Sequence, residues 1–403
     1  MSGSGGAGAN RGVSPATQSR GEVRSMHYVT DAAGLSRAAG ELRGSPLIAV
    51  DTEAAGYHRY HDRICLVQVS DRSRDYLIDT LALHALDGVA PLLEDPAVET
   101  VFHDADYDLR LLARDFGLRV RNLFDTKLAA QLLGEPAFGL GALVEKYLGV
   151  QLDKKHQRAD WAQRPLPPAL LAYAVEDTRH LPALRDRLLA ELERLGRRHW
   201  AEEEFRLREN APREPAAADG EGFLRLKNTR DLTPRQLAVL RELHEWREGM
   251  ARRRDVAPFR IAGNDVIVAI ARALPHDRAT LAATPGVPAT IAERYGPDFL
   301  AAIATGQALP NDQLPTRRRG PARPLPDPEF ERLVERLKHA RDRTADELAL
   351  DRGFLMPRQQ LEDVARSGAR TPEELQAVPD LRKWQVEALG SSLLHVLARA
   401  TAR

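Results

Sequence analysis

The sequence predicts a mixed α/β domain followed by two all-helical modules. Strand-like apolar runs occupy the first hundred residues, helical periodicity dominates the next hundred, and the C-terminal half contains a repeat. A chain of 403 residues is also too long for one ordinary core. Two stretches rich in Pro and charge are typical of linkers. The predicted divisions are a disordered tail (1–25), the α/β domain (26–207), a linker (208–222), a helical domain (223–308), a second linker (309–327) and a second helical domain (328–403).

The elements of the α/β domain follow from short local patterns. The run "MHYVT" predicts a first strand, and Thr30 or Asp31 suits the N-cap of the helix after it. Three further strands, "PLIAVDTE", "ICLVQVS" and "DYLID", have connections short enough for antiparallel neighbours. A helical stretch ending near Leu93 leads to the strand "ETVFH", and residues 105–195 are mostly helical in pattern. We therefore expect a mixed sheet.

The helical half contains two copies of one segment. The stretches that begin at Thr280 and Glu374 align without a gap. Chance agreement between two amphipathic helices would give one or two apolar matches, but not a Pro and a Gly as well. We interpret the alignment as a duplicated helical module. The matching pairs are Leu281/Leu375, Pro285/Pro379, Glu293/Glu387, Gly296/Gly390 and Leu300/Leu394.

Composition limits the partners and the compartment. Lys plus Arg equals Asp plus Glu at 58 each, so no global basic field attracts nucleic acid and any such site must be local. The single cysteine, Cys65, excludes a disulfide framework and a cysteine-based zinc site, and it fits a reducing compartment. The N-terminus lacks the apolar core of a secretory signal, and no segment is long enough to span a membrane. These features predict a cytoplasmic protein without a membrane partner.

Two carboxylates stand at the end of a strand that should be buried. In "LIAVDTEAAG", Asp51 and Glu53 are two positions apart, so they point to the same face of the sheet and repel each other. Alone, such a pair is more often a solvated strand end. Further acidic residues follow at Asp104, Asp106 and Asp108, where a strand leads into a helix.

A later helix adds a tyrosine and another carboxylate. Tyr173 and Asp177 are spaced i and i+4, which puts both on one helix face. Clustered carboxylates without Cys or well-spaced His suit Mg²⁺ or Mn²⁺. Two such ions about 4 Å apart can clamp the attacking and leaving oxygens of a phosphodiester. The sequence therefore predicts two divalent cations, which would offset the repulsion between Asp51 and Glu53.

The motifs "DTE", "HDADYDL" and "YAVED", in this order, resemble the DEDD superfamily of 3′-to-5′ exonucleases. The intervening "FDTKLAAQLLG", "GLGALVEKYLGV" and "DWAQRPLP" are similar to ribonuclease D. The duplicated module resembles the HRDC (helicase and ribonuclease D C-terminal) domain, which binds nucleic acid or protein. The resemblance covers nearly the whole chain after residue 25. It implies a ribonuclease-H-like α/β exonuclease domain followed by two all-α HRDC-like domains.

The resemblance also implies roles for individual residues. Asp51, Glu53, Asp108 and Asp177 match the family's four acidic residues, which are both catalytic and metal ligands. Tyr173 matches the tyrosine that positions or deprotonates the attacking water. A sister subclass has a histidine five residues before the last aspartate, where this chain has Ala172, and His180 does not fit that role. We therefore expect the tyrosine type.

Six residues are weaker candidates for substrate contacts. Tyr57 and His58, in "GYHRYHDR", could stack on a terminal base and meet a phosphate, although an ordinary hairpin is the simpler interpretation. His103 could touch the scissile phosphate or serve as a structural histidine. Trp161 and Arg164 could line the substrate channel, although a packing role is nearly as good an explanation for Trp161. Lys127 could reach a phosphate, but a solvated lysine on a helix is the commoner outcome. The six candidates are Tyr57, His58, His103, Lys127, Trp161 and Arg164.

The activity implied by the resemblance is metal-dependent 3′-to-5′ exoribonuclease activity that releases nucleoside 5′-monophosphates. The implied partner is RNA, with 3′ ends of structured RNA such as tRNA precursors as the substrate class. Two alternatives stay open: a DNA-directed 3′-to-5′ exonuclease, and a catalytically idle RNA-binding scaffold. The intact set of acidic residues and Tyr173 argue against an idle protein. The sequence identifies no protein partner.

Overall fold

A computed structural model describes residues 24–153, 155–212, 220–316 and 327–401. The predicted tail lies outside these ranges except for its last two residues. The same holds for positions 213–219 of the first predicted linker and 317–326 of the second. Within the described ranges, no helix combines the length and the apolar character needed to span a membrane.

A six-stranded sheet forms the centre of the N-terminal part, in the order β1-β4-β3-β2-β5-β6. The hairpin strands β2, β3 and β4 are antiparallel, whereas β1–β4, β2–β5 and β5–β6 pair in parallel. The predicted mixed sheet is therefore confirmed. The short strand β6 was missed, because three residues inside a helical stretch give no alternation to read. The strands are β1 (Ser25–Val29), β2 (Leu47–Ala54), β3 (Ile64–Ser70), β4 (Arg74–Asp79), β5 (Glu99–Phe102) and β6 (Leu123–Asp125).

Helices cover both faces of this sheet. Asp31 begins the first helix by accepting a hydrogen bond from the Gly34 N–H, as its sequence position predicts. One face packs Ile48 and Val50 of β2 into a core with α1 and α4, and on the other face α7 lies against β2, β3 and β4. The helices are α1 (Ala32–Leu42), α2 (Thr80–Leu83), α3 (Ala90–Leu93), α4 (Asp106–Phe116), α5 (Thr126–Leu133), α6 (Leu140–Leu148), α7 (Pro168–Arg179), α8 (Leu181–Arg194) and α9 (Arg198–Asn210).

The two helical modules repeat one arrangement. A Cβ on Gly296 would lie 3.5 Å from the Leu281 side chain, and one on Gly390 would lie 3.8 Å from Leu375. The aligned Gly and Leu therefore make the same close contact in both copies. The first module contains α10 (Pro234–Arg254), α11 (Pro258–Ile261), α12 (Asn264–Ala273), α13 (Arg278–Ala282) and α14 (Ala289–Ala308). The second contains α15 (Pro328–Leu348), α16 (Arg352–Leu355), α17 (Arg358–Ser367), α18 (Pro372–Gln376) and α19 (Lys383–Thr401).

The second module shares a continuous apolar core with the α/β domain, while the first has its own. Trp200 of α9 stacks on Trp384 of α19, with ring centroids 5.3 Å apart. The buried Arg197 donates to the carbonyls of Leu132 and Leu348, each at 2.8 Å, and so joins the two units. Removal of the second module would expose this core. The α/β domain alone is therefore a poor fragment for functional work.

The contact between Gly134 and the second module gives a stability prediction. Gly134 ends α5 in the left-handed region, and a Cβ there would lie 1.9 Å from the Ala349 carbonyl oxygen. Gly117 ends α4 in the same conformation with open space around it. Gly117→Ala should cost only the backbone strain, about 1–2 kcal/mol, whereas Gly134→Ala should cost about 1–3 kcal/mol more because the module must shift. Equal losses in chemical denaturation would contradict the close docking.

Candidate active site

Two elements bring three of the predicted carboxylates together. Strand β2 presents Asp51 and Glu53 on one face, and α7 packs against β2, β3 and β4. This packing places Asp177 beside the pair, so that one carboxylate oxygen from each residue lies within 4.8 Å of the others. Strand alternation and the packing of one helix on the sheet together bring the three carboxylates into one cluster.

Asp108 joins the cluster from the first turn of α4. It is buried, and its Oδ1 accepts a 2.5 Å hydrogen bond from the hydroxyl of Thr52, the residue between Asp51 and Glu53. The two neighbouring aspartates point elsewhere. Asp104 pairs with Lys127 and Asp106 pairs with Arg110. The structure therefore separates Asp108 from its acidic neighbours.

Burial and mutual repulsion disfavour the charged forms of the four carboxylates. Burial, followed by the charges of Asp108 and Asp177, raises the pKa of Asp51 well above its usual value. The pKa of Glu53 is also raised well above its usual value, by burial and the same two charges. Burial raises the pKa of Asp108 and of Asp177 to about 7. Within the described ranges, no Lys, Arg or His forms a salt bridge with any of the four.

This donor set fits divalent metal. Buried carboxylates normally have a cationic partner, and here the protein supplies none in the ranges that the structure covers. All the available donors are oxygens, which hard cations such as Mg²⁺ and Mn²⁺ prefer over nitrogen or sulfur. The carboxylates of Asp51, Glu53 and Asp177 are close enough to share an ion.

Tyr173 lies one helical turn before Asp177 and is half-buried. Its ring packs against Trp161 and His156, with centroids 6.2 Å and 5.7 Å away. Burial, together with the charges of Asp177 and Glu53, raises the pKa of its phenol. The hydroxyl therefore stays protonated at neutral pH. His180, one turn after Asp177, does not take this role because it pairs with Glu176 at 2.9 Å.

Trp161 is buried within the fold, whereas Arg164 is more exposed and is held by an ion pair with Asp79. Trp161 is only 2% exposed and packs beneath α7. The Arg164 guanidinium binds both carboxylate oxygens of Asp79, at 2.6 Å and 2.7 Å, and donates to the Cys65 carbonyl. These contacts support the packing alternative for Trp161 and a supporting role for Arg164. Trp161 thus packs against α7, which carries Asp177, while Arg164 joins β3 and β4 beside it.

His103 and Lys127 are engaged with neighbours of the cluster. The His103 Nδ1 lies 2.9 Å from the Thr126 hydroxyl, and burial lowers the pKa of the imidazole, so the ring is neutral. The Lys127 Nζ lies 2.5 Å from an Asp104 carboxylate oxygen. These contacts support the structural alternative for His103 and leave the charge of Lys127 paired. Their predicted substrate contacts remain predictions.

Asp125 is a supporting residue that the sequence interpretation missed. It is fully buried and lies at the junction of β6 and α5. Its carboxylate accepts from the backbone N–H groups of Asp104 and Ala105, at 3.1 Å and 2.9 Å, and from those of Lys127 and Leu128. It therefore fixes the turn from β5 to α4, which carries Asp108. Its place before a helix in "FDTK" was the available signal.

Asp125→Asn should lower the activity, although Asp125 is not one of the four proposed metal-binding carboxylates. An Asn has one carbonyl oxygen and an NH₂ group that would face backbone donors, so the turn must shift. A displacement of about 1 Å can cost roughly 10²-fold in rate, and we expect a loss of about 10–100-fold together with a higher half-saturating Mg²⁺ concentration. Asp31→Asn, at the exposed N-cap of α1, is the matched control. A loss of stability with unchanged metal dependence would contradict this positioning role.

Comparison with known proteins gives the class of this chain. Residues 26–193 match the family model described as 3′-5′ exonuclease, and residues 236–303 and 330–397 each match the HRDC domain. The structure of Escherichia coli RNase D, an exoribonuclease involved in structured RNA processing, has a TM-score of 0.67 and 26% identity over 93% of this chain and 99% of its own. A Bifidobacterium adolescentis protein has a TM-score of 0.72 and 26% identity, covering 92% and 97%. The fold and the site therefore define a 3′-to-5′ exonuclease.

One relative establishes the family. A ribonuclease D from Pseudomonas paraeruginosa is 34% identical over 378 residues, which are 93% of this chain and 98% of the relative. The chain belongs to the ribonuclease D family, and it is a 3′-to-5′ exoribonuclease. The implied exonuclease domain and both HRDC domains are confirmed.

Proposed function

We propose that this enzyme removes nucleotides from the 3′ end of RNA and releases nucleoside 5′-monophosphates with two divalent ions, Mg²⁺ or Mn²⁺. The observation that supports it most is the set of four clustered carboxylates, of which Asp108 is buried and the other three are partly buried, without a cationic partner in the described ranges. Asp51, Glu53 and Asp177 would hold the ions, and Asp108 would complete the set. When bound, such ions lower the pKa of a water molecule and stabilise negative charge on the phosphate.

The raised pKa of Tyr173 favours one of its two expected roles. A phenol that stays protonated at neutral pH is a poor base, but it can hold and aim a water molecule through a hydrogen bond. Its ring is fixed between Trp161 and His156, so the hydroxyl has a defined direction. We therefore propose that Tyr173 positions the attacking water. The phenol would not remove a proton from this water, whose acidity would be supplied by the bound ions.

The proposed substrate class is structured RNA, including tRNA precursors with extended 3′ ends. Support comes from the Escherichia coli relative, an exoribonuclease involved in structured RNA processing, and from the two HRDC domains. We also propose that the enzyme acts in the cytoplasm, because its single cysteine is buried and free.

A time course of hydrolysis tests the proposed function. The full-length enzyme would be incubated with 3′-extended tRNA, with single-stranded RNA of the same 3′ sequence, and with matched DNA, in Mg²⁺, Mn²⁺ or EDTA. We expect stepwise shortening of 5′-labelled RNA with release of 5′-monophosphates, and no reaction in EDTA. Equal or faster shortening of DNA would favour the DNA-directed alternative. RNA binding without shortening under any metal would favour the idle scaffold.

A further inference from the structure

The turn that follows the catalytic strand contacts the first HRDC domain. The Ala257 N–H donates to the His58 carbonyl at 3.2 Å, and the Arg260 Nε donates to the Tyr57 carbonyl at 3.0 Å. Another guanidinium nitrogen of Arg260 lies 3.0 Å from the His58 Nδ1. The turn at Tyr57 and His58, which could stack on a terminal base, therefore contacts α11. This contact forms a junction between the α/β domain and the first HRDC domain.

An aromatic and cationic cluster is exposed at this junction. We call Tyr57, Arg158, Phe259 and Arg260 the Phe259 cluster. The two rings lie 5.4 Å apart, and Tyr57 and Phe259 are 42% and 49% exposed. The guanidinium carbons of Arg260 and Arg158 lie 5.2 Å and 5.7 Å from the centre of the Tyr57 ring. Both guanidinium groups therefore approach the Tyr57 ring, and Phe259 is slightly the more exposed of the two rings.

The cluster keeps its positive charge. In the part of the chain that the structure describes, neither Arg158 nor Arg260 forms a salt bridge, although other arginines near the junction do. Two acids on the flanking segments, Asp160 and Asp255, both pair with Arg59, at 2.7 Å and 3.9 Å. Both guanidinium groups are exposed and have no carboxylate partner in the described ranges, and the Arg260 nitrogen that contacts neither Tyr57 nor His58 can still donate to an anion.

Two short connections link the cluster to the carboxylates. Tyr57 is four residues after Glu53, so their Cα atoms are at most about 14 Å apart. On the other side, His156 packs on Tyr173, and Arg158, two residues later, packs on Tyr57. One loop thus runs from the phenol to the cluster. A nucleic acid strand entering the site would need to bridge only a few nucleotides to reach Phe259.

We propose that the Phe259 cluster binds the single-stranded 3′ segment of the RNA substrate a few nucleotides upstream of the bond that is cut. Phe259 stacks on a base, and Arg158 and Arg260 contact phosphates. Tyr57 contacts all three of these side chains and holds them in place. Aromatic rings interleaved with arginines bind single strands in this way, without regard to sequence. The inference rests on the proposed function, and it makes the first HRDC domain part of the substrate path.

Affinity for RNA in EDTA tests the cluster independently of hydrolysis. The full-length protein and its Phe259→Leu variant, which keeps apolar bulk but no ring, would be titrated against labelled single-stranded RNA of about 12 nucleotides. Loss of one stacked base should raise the Kd about 5–10-fold, and Phe259→Trp should restore binding. Leu207→Ala, at an exposed apolar residue of α9, is the matched control and should bind like the wild type.

The salt dependence of RNA binding tests the proposed phosphate contacts. Arg158→Gln should lower the slope of log K against log salt by about 0.7, because one fewer counterion is released. Arg343→Gln, at an exposed arginine of α15, should leave the slope unchanged. Wild-type binding and cleavage with an unchanged Kd for Phe259→Leu would overturn the cluster and leave the proposed function intact. Absence of both RNA binding and RNA cleavage in the wild type would overturn the proposed function itself.

Discussion

Asp51→Asn and Asp177→Asn should each abolish hydrolysis while leaving the protein folded. Each variant replaces one of the three carboxylates whose oxygens lie within 4.8 Å of one another with a neutral amide, which is a weaker ligand for the proposed ions. Metal ions contribute several kcal/mol to stabilising the phosphoryl transition state, so the rate should fall by about 10³-fold or more. Glu176→Gln is the matched control, because this carboxylate adjoins Asp177 but pairs with Arg179 and His180.

The stability of the metal-free Asp51→Asn variant separates a site effect from misfolding. Burial and neighbouring charge raise the pKa of Asp51 in the folded state, so the wild type loses stability as the pH rises through that raised pKa. An amide does not ionise. At about pH 8 in EDTA the variant should therefore resist denaturant as well as the wild type or better. An inactive variant that is also clearly less stable would contradict this account of the repulsion.

Tyr173→Phe should slow hydrolysis by roughly 10²–10⁴-fold, because it removes the group that aims the water while keeping the packed ring. The ring contacts with Trp161 and His156 need no hydroxyl, so the fold should not change. Metal affinity should be nearly unaffected, because the four carboxylates remain. The measurement is single-turnover cleavage of 5′-labelled RNA beside a calorimetric metal titration.

A second tyrosine provides the control for this variant. Tyr107 precedes Asp108 and donates its hydroxyl to Asp62 at 2.5 Å, away from the carboxylate cluster. Tyr107→Phe should therefore retain most of the activity. If Tyr173→Phe lost metal binding together with activity, Tyr173 would support the site structurally instead of positioning water.

Local periodicity was enough to predict which side chains of the site share a face of one element. Alternation along β2 put Asp51 and Glu53 on one face, and the i, i+4 spacing on α7 put Tyr173 with Asp177. That the two elements meet was implied by the resemblance and not by either pattern. Sheet order and helix packing then place Asp177 beside β2, and the Thr52 hydroxyl places Asp108.

The features that the sequence did not predict depend on contacts between residues far apart in the chain. Nothing in the sequence around Arg164 indicates its partner Asp79, which lies at the end of β4. The sequence around Asp125 predicts only a helix N-cap. Its hydrogen bonds to the turn before Asp108 require the pairing of β5 with β6, which brings the two segments together. The docking of the turn at Tyr57 against α11 joins positions about two hundred residues apart, and no pattern along the chain predicts it.

The central claim is that the carboxylate cluster binds divalent metal, and a calorimetric titration with Mn²⁺ tests it most directly. The titration would be made without RNA on the wild type, Asp51→Asn and Glu176→Gln. Wild type and Glu176→Gln should bind with the same affinity, whereas Asp51→Asn should bind at least about 10-fold more weakly. An Asp51→Asn isotherm identical to that of the wild type would contradict the claim.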